Sequence, residues 1–157
     1  MSARTAWLDD TEMAGWRAFI ETQVDLMGAL EADLATHDLT LGDYQVLVYL
    51  SEVDGHALRM CDLADMLQLS PSGLTRRLDG LVRASWVERR GSEADRRVMM
   101  AVLTDAGRRH LVEAAPTHVD SVRRHIFDHL DRADVEALAS IFGKIRAALD
   151  DRASTPA

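Results

Sequence analysis

Cysteine, proline and glycine are all sparse in this sequence. A single cysteine excludes an internal disulfide framework and suits a reducing compartment. Three prolines, nine glycines and only 5% aromatic residues argue against a sandwich or barrel, whose many turns consume Gly and Pro. Long apolar runs are missing too. The longest strongly apolar stretch, "VMMAVL", is far too short to span a bilayer, and "MSARTAWLDD" holds no apolar run followed by a cleavage site. These absences predict a soluble, cytoplasmic, mostly helical protein with no membrane partner. G-x-S-x-G, a Gly-rich phosphate loop and H-E-x-x-H are absent as well. The Asp and Glu pairs lie at helical spacing, where solvation explains them. No enzyme and no cofactor are expected.

A chain of 157 residues with 47% hydrophobic content can bury one domain's core. Its formal net charge is -8, which disfavours indiscriminate nucleic-acid binding. The average hides an asymmetry. Between Ser72 and Arg97 stand seven arginines and four acids, a net +3, so the remainder carries -11. A basic surface on an acidic body is a usable footprint for DNA, although a solvated charged helix would look similar.

Hydrophobic periodicity orders the chain. Met13, Trp16, Ile20, Met27, Leu30 and Leu34 recur at helical spacing, predicting a helix from about Leu8 to Thr36. Thr40 can cap a second helix bearing Leu41, Tyr44, Leu47 and Leu50. "DGHA" reads as a turn and "LRM" as a short strand. Leu63, Met66 and Leu67 give a short helix an apolar face, and "QLS" interrupts it. Ser70 is then a good N-cap with Pro71 at the first helical position. Leu74, Leu78, Leu81 and Val82 point inward from the next helix. Ser72, Gly73, Thr75, Arg76, Arg77, Asp79 and Arg83 stay outside. Two short helices and a tight turn, the second helix bearing arginines, form a helix-turn-helix pattern. "WVERR" and "RVMMAVLT" flank the turn "GSEAD" as a hairpin wing. Thr104 caps another long helix, in which Pro116 should cause a kink or a break. "DRAD" opens a last helix carrying Val135, Leu138, Ile141, Phe142, Ile145 and Leu149, and the tail "DDRASTPA" reads as frayed. The long terminal helices carry apolar stripes that a small central domain cannot cover, so a second copy is the economical partner. A two-fold dimer would present two recognition helices about 34 Å apart, matching a palindromic operator.

With these residues in view, the chain resembles the MarR family (multiple antibiotic resistance regulators) of bacterial winged-helix transcription factors, over nearly its whole length. The specific part is "LTRRLDGLVRASWVERRGSEADRRVMMAVLT", with Leu74-Thr75-Arg76, Val87-Glu88-Arg89, Asp95-Arg96-Arg97 and Leu103-Thr104 at the family's motif positions. Gln68 and Ser85 depart from the pattern, standing where glycine is frequent. The resemblance implies an α+β, mostly α fold: one winged helix-turn-helix domain over residues 1–157. Residues 38–103 would be the DNA-binding lobe, with the helix-turn-helix at about 60–84 and the wing at about 86–103. Residues 8–37 and 104–150 would supply dimerisation helices. It further implies a homodimer on a palindromic double-stranded operator, usually repressing, and often released by a small aromatic effector bound between dimerisation helices and lobe.

Each candidate has a plain alternative. Ser70, Ser72, Gly73, Thr75, Arg76 and Arg77 would enter the major groove, and Arg89, Arg90, Arg96 and Arg97 would clamp phosphates or enter the minor groove. Otherwise they are a solvated face with pairs such as Asp79–Arg83. Asp95 or Asp79 is expected to pair with Arg97 and hold the wing. Trp16, Leu138, Phe142, Ile145 and Leu149 are dimerisation candidates. Trp16, His37 and Tyr44 are candidates for an effector pocket, or else core and interface residues. Cys61 near a helix start suggests a redox switch, but the oxidant-sensing relatives carry their cysteine in the first helix, so a half-buried small residue is the simpler reading. His118, His125 and His129 would share one helical face, which can bind zinc; no carboxylate shell completes a site, so no metal is expected. A second class of function stays open, a winged-helix dimer that binds proteins and not DNA.

Overall fold

The computed structural model describes residues 7–92 and 95–153. They fall into two compact units, one ending at Val119 and one starting at Asp120. The first holds helix α1 (Asp10–Leu34), a 3₁₀ turn (Ala35–His37), α2 (Leu41–Glu52), a second such turn (Asp54–His56), strand β1 (Ala57–Arg59), α3 (Met60–Met66), α4 (Pro71–Arg83), β2 (Val87–Gly91), β3 (Met99–Leu103) and most of α5 (Asp105–His125). The second unit holds the end of α5, a 3₁₀ turn (Phe127–His129) and α6 (Arg132–Ala153). The fold is mostly helical with one small antiparallel sheet, as expected.

Helix starts follow local chemistry. Asp9 and Glu12 close a reciprocal capping box at α1, Thr40 and Asp43 do so at α2, and Asp131 and Asp134 exchange the same pair of bonds ahead of α6. Ser70 Oγ accepts the Gly73 N–H at 3.1 Å, with Pro71 first in α4.

Helix ends hold the surprises. Three of them close through residues with positive φ that are not glycine: Asp38 (55°), Gln68 (54°) and Ser85 (62°). Each makes the paired bonds of a Schellman motif. Gln68 N–H and Leu69 N–H donate to Asp65 and Ala64, and Ser85 N–H and Trp86 N–H donate to Val82 and Leu81. Gln68 and Ser85 are the positions where a glycine was wanted, so they bear a left-handed backbone at a cost.

The core of the first unit gathers the expected stripes. Leu74, Leu78 and Leu81 of α4 pack with Leu63 of α3, Tyr44, Leu47 and Leu50 of α2, and Val87, Ala101 and Leu103 of the sheet. Two details differ from the sequence reading. Ala64, not Met66, joins Leu63 in the core, and Met66 is exposed. Val46 is fully buried, because α2 is covered on more than one face. The strand order is β1-β3-β2, so the wing hairpin has β1 as a third strand, with Ala57 opposite Val102 and Arg89 opposite Ala101.

Pro116 lies inside α5 without splitting it. Proline removes the bond to the Val112 carbonyl and crowds it, yet Val112 is on the exposed side of the helix, away from the core that would otherwise resist the adjustment. The helix stops at His125. At the other end α6 continues through Ala153 into the segment expected to fray.

A clasp ties α4 to α5. Thr104 Oγ1 accepts the Gly107 N–H at 3.0 Å and donates to the Ser85 carbonyl at 2.7 Å. Trp86 stacks on His110 with centroids 3.9 Å apart. Gly107 is required here, since a Cβ would run into the Trp86 carbonyl.

Two outcomes are expected. Ser85→Gly and Gln68→Gly relieve the left-handed strain and should each raise stability by about 0.5–1 kcal/mol, or ~1–4 °C in a thermal melt, after the extra entropy of glycine is subtracted. His118 lies against Tyr44 with ring centroids 4.4 Å apart, and burial lowers its pKa below the ordinary 6.5. The native state therefore resists a proton that the unfolded chain accepts. Stability from this group is complete above about pH 6.5 and falls as pH drops toward the depressed native value. His118→Phe keeps the ring contact and should flatten that part of the denaturation-versus-pH profile.

Candidate nucleic-acid interface

The polar face of α4 and the hairpin β2–β3 place the arginines of the basic window, and the structure divides them into held and free. Strand alternation explains the first division. Val87 is buried and Arg89 half-buried on the inner face of β2, while Glu88 and Arg90 face outward. Arg89 Nη2 donates to the Thr75 carbonyl at 2.7 Å and to Asp79 Oδ1 at 2.8 Å, joining strand to helix. Arg89 Nε is buried with no hydrogen-bond partner among the described residues. Arg77 is also held. Its Nη1 donates to Thr40 Oγ1 at 3.0 Å and lies 3.9 Å from Asp43 Oδ1, on the first turn of α2. Both arginines were expected to face DNA; both are engaged by the protein.

The rest are freer. Arg76 is exposed on the outer face of α4. Arg83 donates to the Asp79 carbonyl of its own helix, at 3.2 Å. Arg90 makes a loose 3.5 Å contact with Glu88. Arg96 and Arg97 are exposed at the wing turn. Asp95 shapes that turn, but not through the Arg97 guanidinium: its Oδ1 accepts the Arg97 backbone N–H at 2.9 Å. Asp79 turns to Arg89, not to Arg97 or Arg83. Of the turn "GSEAD", Glu93 and Ala94 lie outside the described residues. On α4 itself, the Thr75 hydroxyl donates to the Pro71 carbonyl, Ser70 caps, and Ser72 Oγ sits 3.2 Å from Ser70 Oγ. Gly73 lies so near the cap that a Cβ would stand 3.2 Å from Ser70 Oγ. An open groove of about 470 Å³ runs beside this face, with Arg76, Arg77 and Arg83 on its walls.

The remaining candidates separate. His37 Nε2 and Thr117 Oγ1 are 2.8 Å apart, and a His110 ring nitrogen approaches the His37 carbonyl at 2.8 Å. Tyr44 is buried, which raises its pKa. Trp16 does not join them. It is 52% exposed, beside Phe19, and stands about 27 Å along α1 from Leu34 at ~1.5 Å per residue. Phe142, Ile145 and Leu149 are exposed on α6 and Leu138 is half-buried. His129 lies in a 3₁₀ turn beyond the end of α5, so it does not continue the helical face of His118 and His125. Among the described residues no three His, Cys, Asp or Glu side chains come together as a metal site. Cys61 is exposed, its Sγ 3.4 Å from Asp62. Arg59 contacts the same carboxylate at 2.7 Å and holds the Asp62 pKa below its ordinary value. Among the described residues no helix is long and apolar enough to cross a membrane.

Sequence reasoning missed the seat on α2. Gly42 in its first turn was the available signal, since a glycine inside a helix often marks a close approach.

Known proteins agree with this architecture. The sequence profile of the MarR family matches residues 37–98. AbsC, a MarR family transcriptional regulator from Streptomyces coelicolor, is 40% identical, with a TM-score of 0.88 over 94% of this chain and 99% of that one. Sco3205 from the same organism, a MarR family transcriptional regulator solved in complex with DNA, is 32% identical, with a TM-score of 0.87 over 94% and 93%. The transcriptional repressor MprA of Escherichia coli is 28% identical over 107 residues, which are 68% of this chain and 60% of that protein. At the identity and coverage of the two Streptomyces structures, the chain belongs to the MarR family of transcriptional regulators.

Proposed function

We propose that the protein is a sequence-specific DNA-binding regulator of transcription, acting as a homodimer on a palindromic operator and most simply as a repressor. One observation carries the reading: Arg76 is exposed on the outer face of a capped helix, while Arg90, Arg96 and Arg97 are exposed along the adjoining hairpin, on a body that is otherwise acidic. Arginine can chelate the O6/N7 edge of guanine, and exposed wing arginines can neutralise phosphates. A protein-binding wing would need neither. The DNA complex of Sco3205 and the repressor name of MprA support the same reading.

In this scheme residues 38–103 form the DNA-binding lobe, and residues 8–37 and 104–150 supply the dimerisation helices. Trp16 on α1, and Leu138, Phe142, Ile145 and Leu149 on α6, belong to apolar faces that a second copy would cover. His37 and Tyr44 mark the region where a small aromatic effector would bind. Such an effector lowers DNA affinity only by its preference for a dimer whose lobes are wrongly spaced.

The test is fluorescence anisotropy on DNA from upstream of the protein's own gene and on a scrambled duplex, across salt. We expect tight binding to the first, a steep negative dependence on salt, and a loss of about tenfold or more in Arg76→Ala. Equal weak binding to both duplexes, indifferent to Arg76→Ala, would leave a protein-interaction module as the function. Asp95→Ala should weaken binding although it removes a negative charge, because Asp95 shapes the turn that carries Arg96 and Arg97; unchanged or tighter binding contradicts that role.

A further inference from the structure

The place of Arg77 separates two jobs that arginines on one helix face can do. Its guanidinium lies on the first turn of α2 against the bare Cα of Gly42. A Cβ at Gly42 would overlap Arg77 Nη1 and Cζ and come within 2.8 Å of Nη2. Thr40 Oγ1, the cap of α2, accepts from Arg77 at 3.0 Å and from Asp43 N–H at 3.0 Å. Asp43 completes the seat at 3.9 Å, with its side chain largely buried. The same turn is anchored from behind, where Leu41 N–H donates to Glu31 Oε2 of α1 at 2.6 Å. Arg77 is thus a strut between the recognition helix and the α1–α2 junction.

Its neighbour in sequence, Arg76, is exposed and has no such seat among the described residues. The two leave α4 about 100° apart, so the docking of one sets the direction of the other. Base reading tolerates placement errors of only about 0.5 Å. A small roll of α4 would move the tip of Arg76 by more than that.

We infer that Arg77 is a positioning residue for DNA reading, and that Gly42 is the specificity-determining position that admits it. Seated on α2, Arg77 fixes the roll of α4 that presents Arg76, and it neutralises no phosphate itself. This rests on the DNA-binding function proposed above.

The probe is a duplex selected by the wild-type protein from a random-sequence pool, with its scrambled counterpart. Affinity for both is measured across salt for wild type, Arg77→Ala, Arg77→Lys, Gly42→Ala and the Gly42→Ala/Arg77→Ala pair, each checked for its melting transition. Arg77→Ala should reduce the preference for the selected duplex about tenfold and leave the salt slope unchanged. Gly42→Ala keeps every cation and favours the helix, yet it should cost the same preference. The double variant should be no worse than Arg77→Ala alone, since both changes empty one seat. Arg77→Lys should fail to restore the preference, because an ammonium does not lie flat on Gly42. A salt slope reduced by about one in Arg77→Ala, with both duplexes weakened alike and Gly42→Ala behaving as wild type, would make Arg77 a phosphate contact and overturn the proposal. No enrichment by the wild-type protein would overturn the DNA-binding function and this role with it, and is told apart by needing no substitution.

Discussion

The guanidinium of Arg89 sits between α4 and β2, and the outward face of the lobe is organised around it. Its bonds to the Thr75 carbonyl and to Asp79 fasten the wing to α4 at the level of Arg76. The hairpin is rooted elsewhere by buried Val87, Ala101 and Leu103 and by the pairing of β3 with β1. A charged donor shared between a main-chain carbonyl and a carboxylate is stronger than a neutral bond. The link is also partly enclosed, since the Arg89 side chain is only 27% exposed. It holds helix and hairpin as one surface even though Nε of the same group goes unpaired.

From that link follows the division of the arginines. Arg89 and Arg77 are spent inside the lobe, one on the wing and one on α2. Arg76, Arg90, Arg96 and Arg97 project. An acidic protein can bind a polyanion only through such a segregated patch, because its average field repels one. Fixing some cations internally also spares the free ones from searching many rotamers, which is the advantage of a preorganised surface. The clasp of Thr104 and Trp86 at the far end of α4 extends the same rigidity to α5.

Local signals in the sequence were legible. The caps at Thr40 and Ser70 and the stripe of Leu74, Leu78 and Leu81 each depend on residues within one or two turns of each other. The family's motifs located α4 and the hairpin. What stayed hidden depends on residues distant in sequence or on backbone strain. Arg77 meets a threonine thirty-seven residues away, and nothing in the periodicity of α4 distinguishes it from Arg76. Arg89 reads as one more wing cation until the strand register turns it inward. Asp38 ends a helix without the glycine that would have announced it, whereas the family pattern had marked Gln68 and Ser85. Pro116 reads as a kink or a break, but the helix runs through it. Trp16 separates from the other proposed effector residues because α1 carries it about 27 Å from Leu34, the residue that leads into the turn of His37.

The most direct test of this organisation is a double-mutant cycle on Arg89→Lys and Asp79→Asn, read by equilibrium denaturation. A lysine ammonium keeps the charge but cannot serve the carbonyl and the carboxylate from one planar fork. If the two groups act as one link, the single variants should each destabilise the fold and the pair should be non-additive, with a coupling of about 1 kcal/mol. Additivity to within about 0.3 kcal/mol would mean that strand and helix are held independently of this pair, and the account of the outward surface built on it would be wrong.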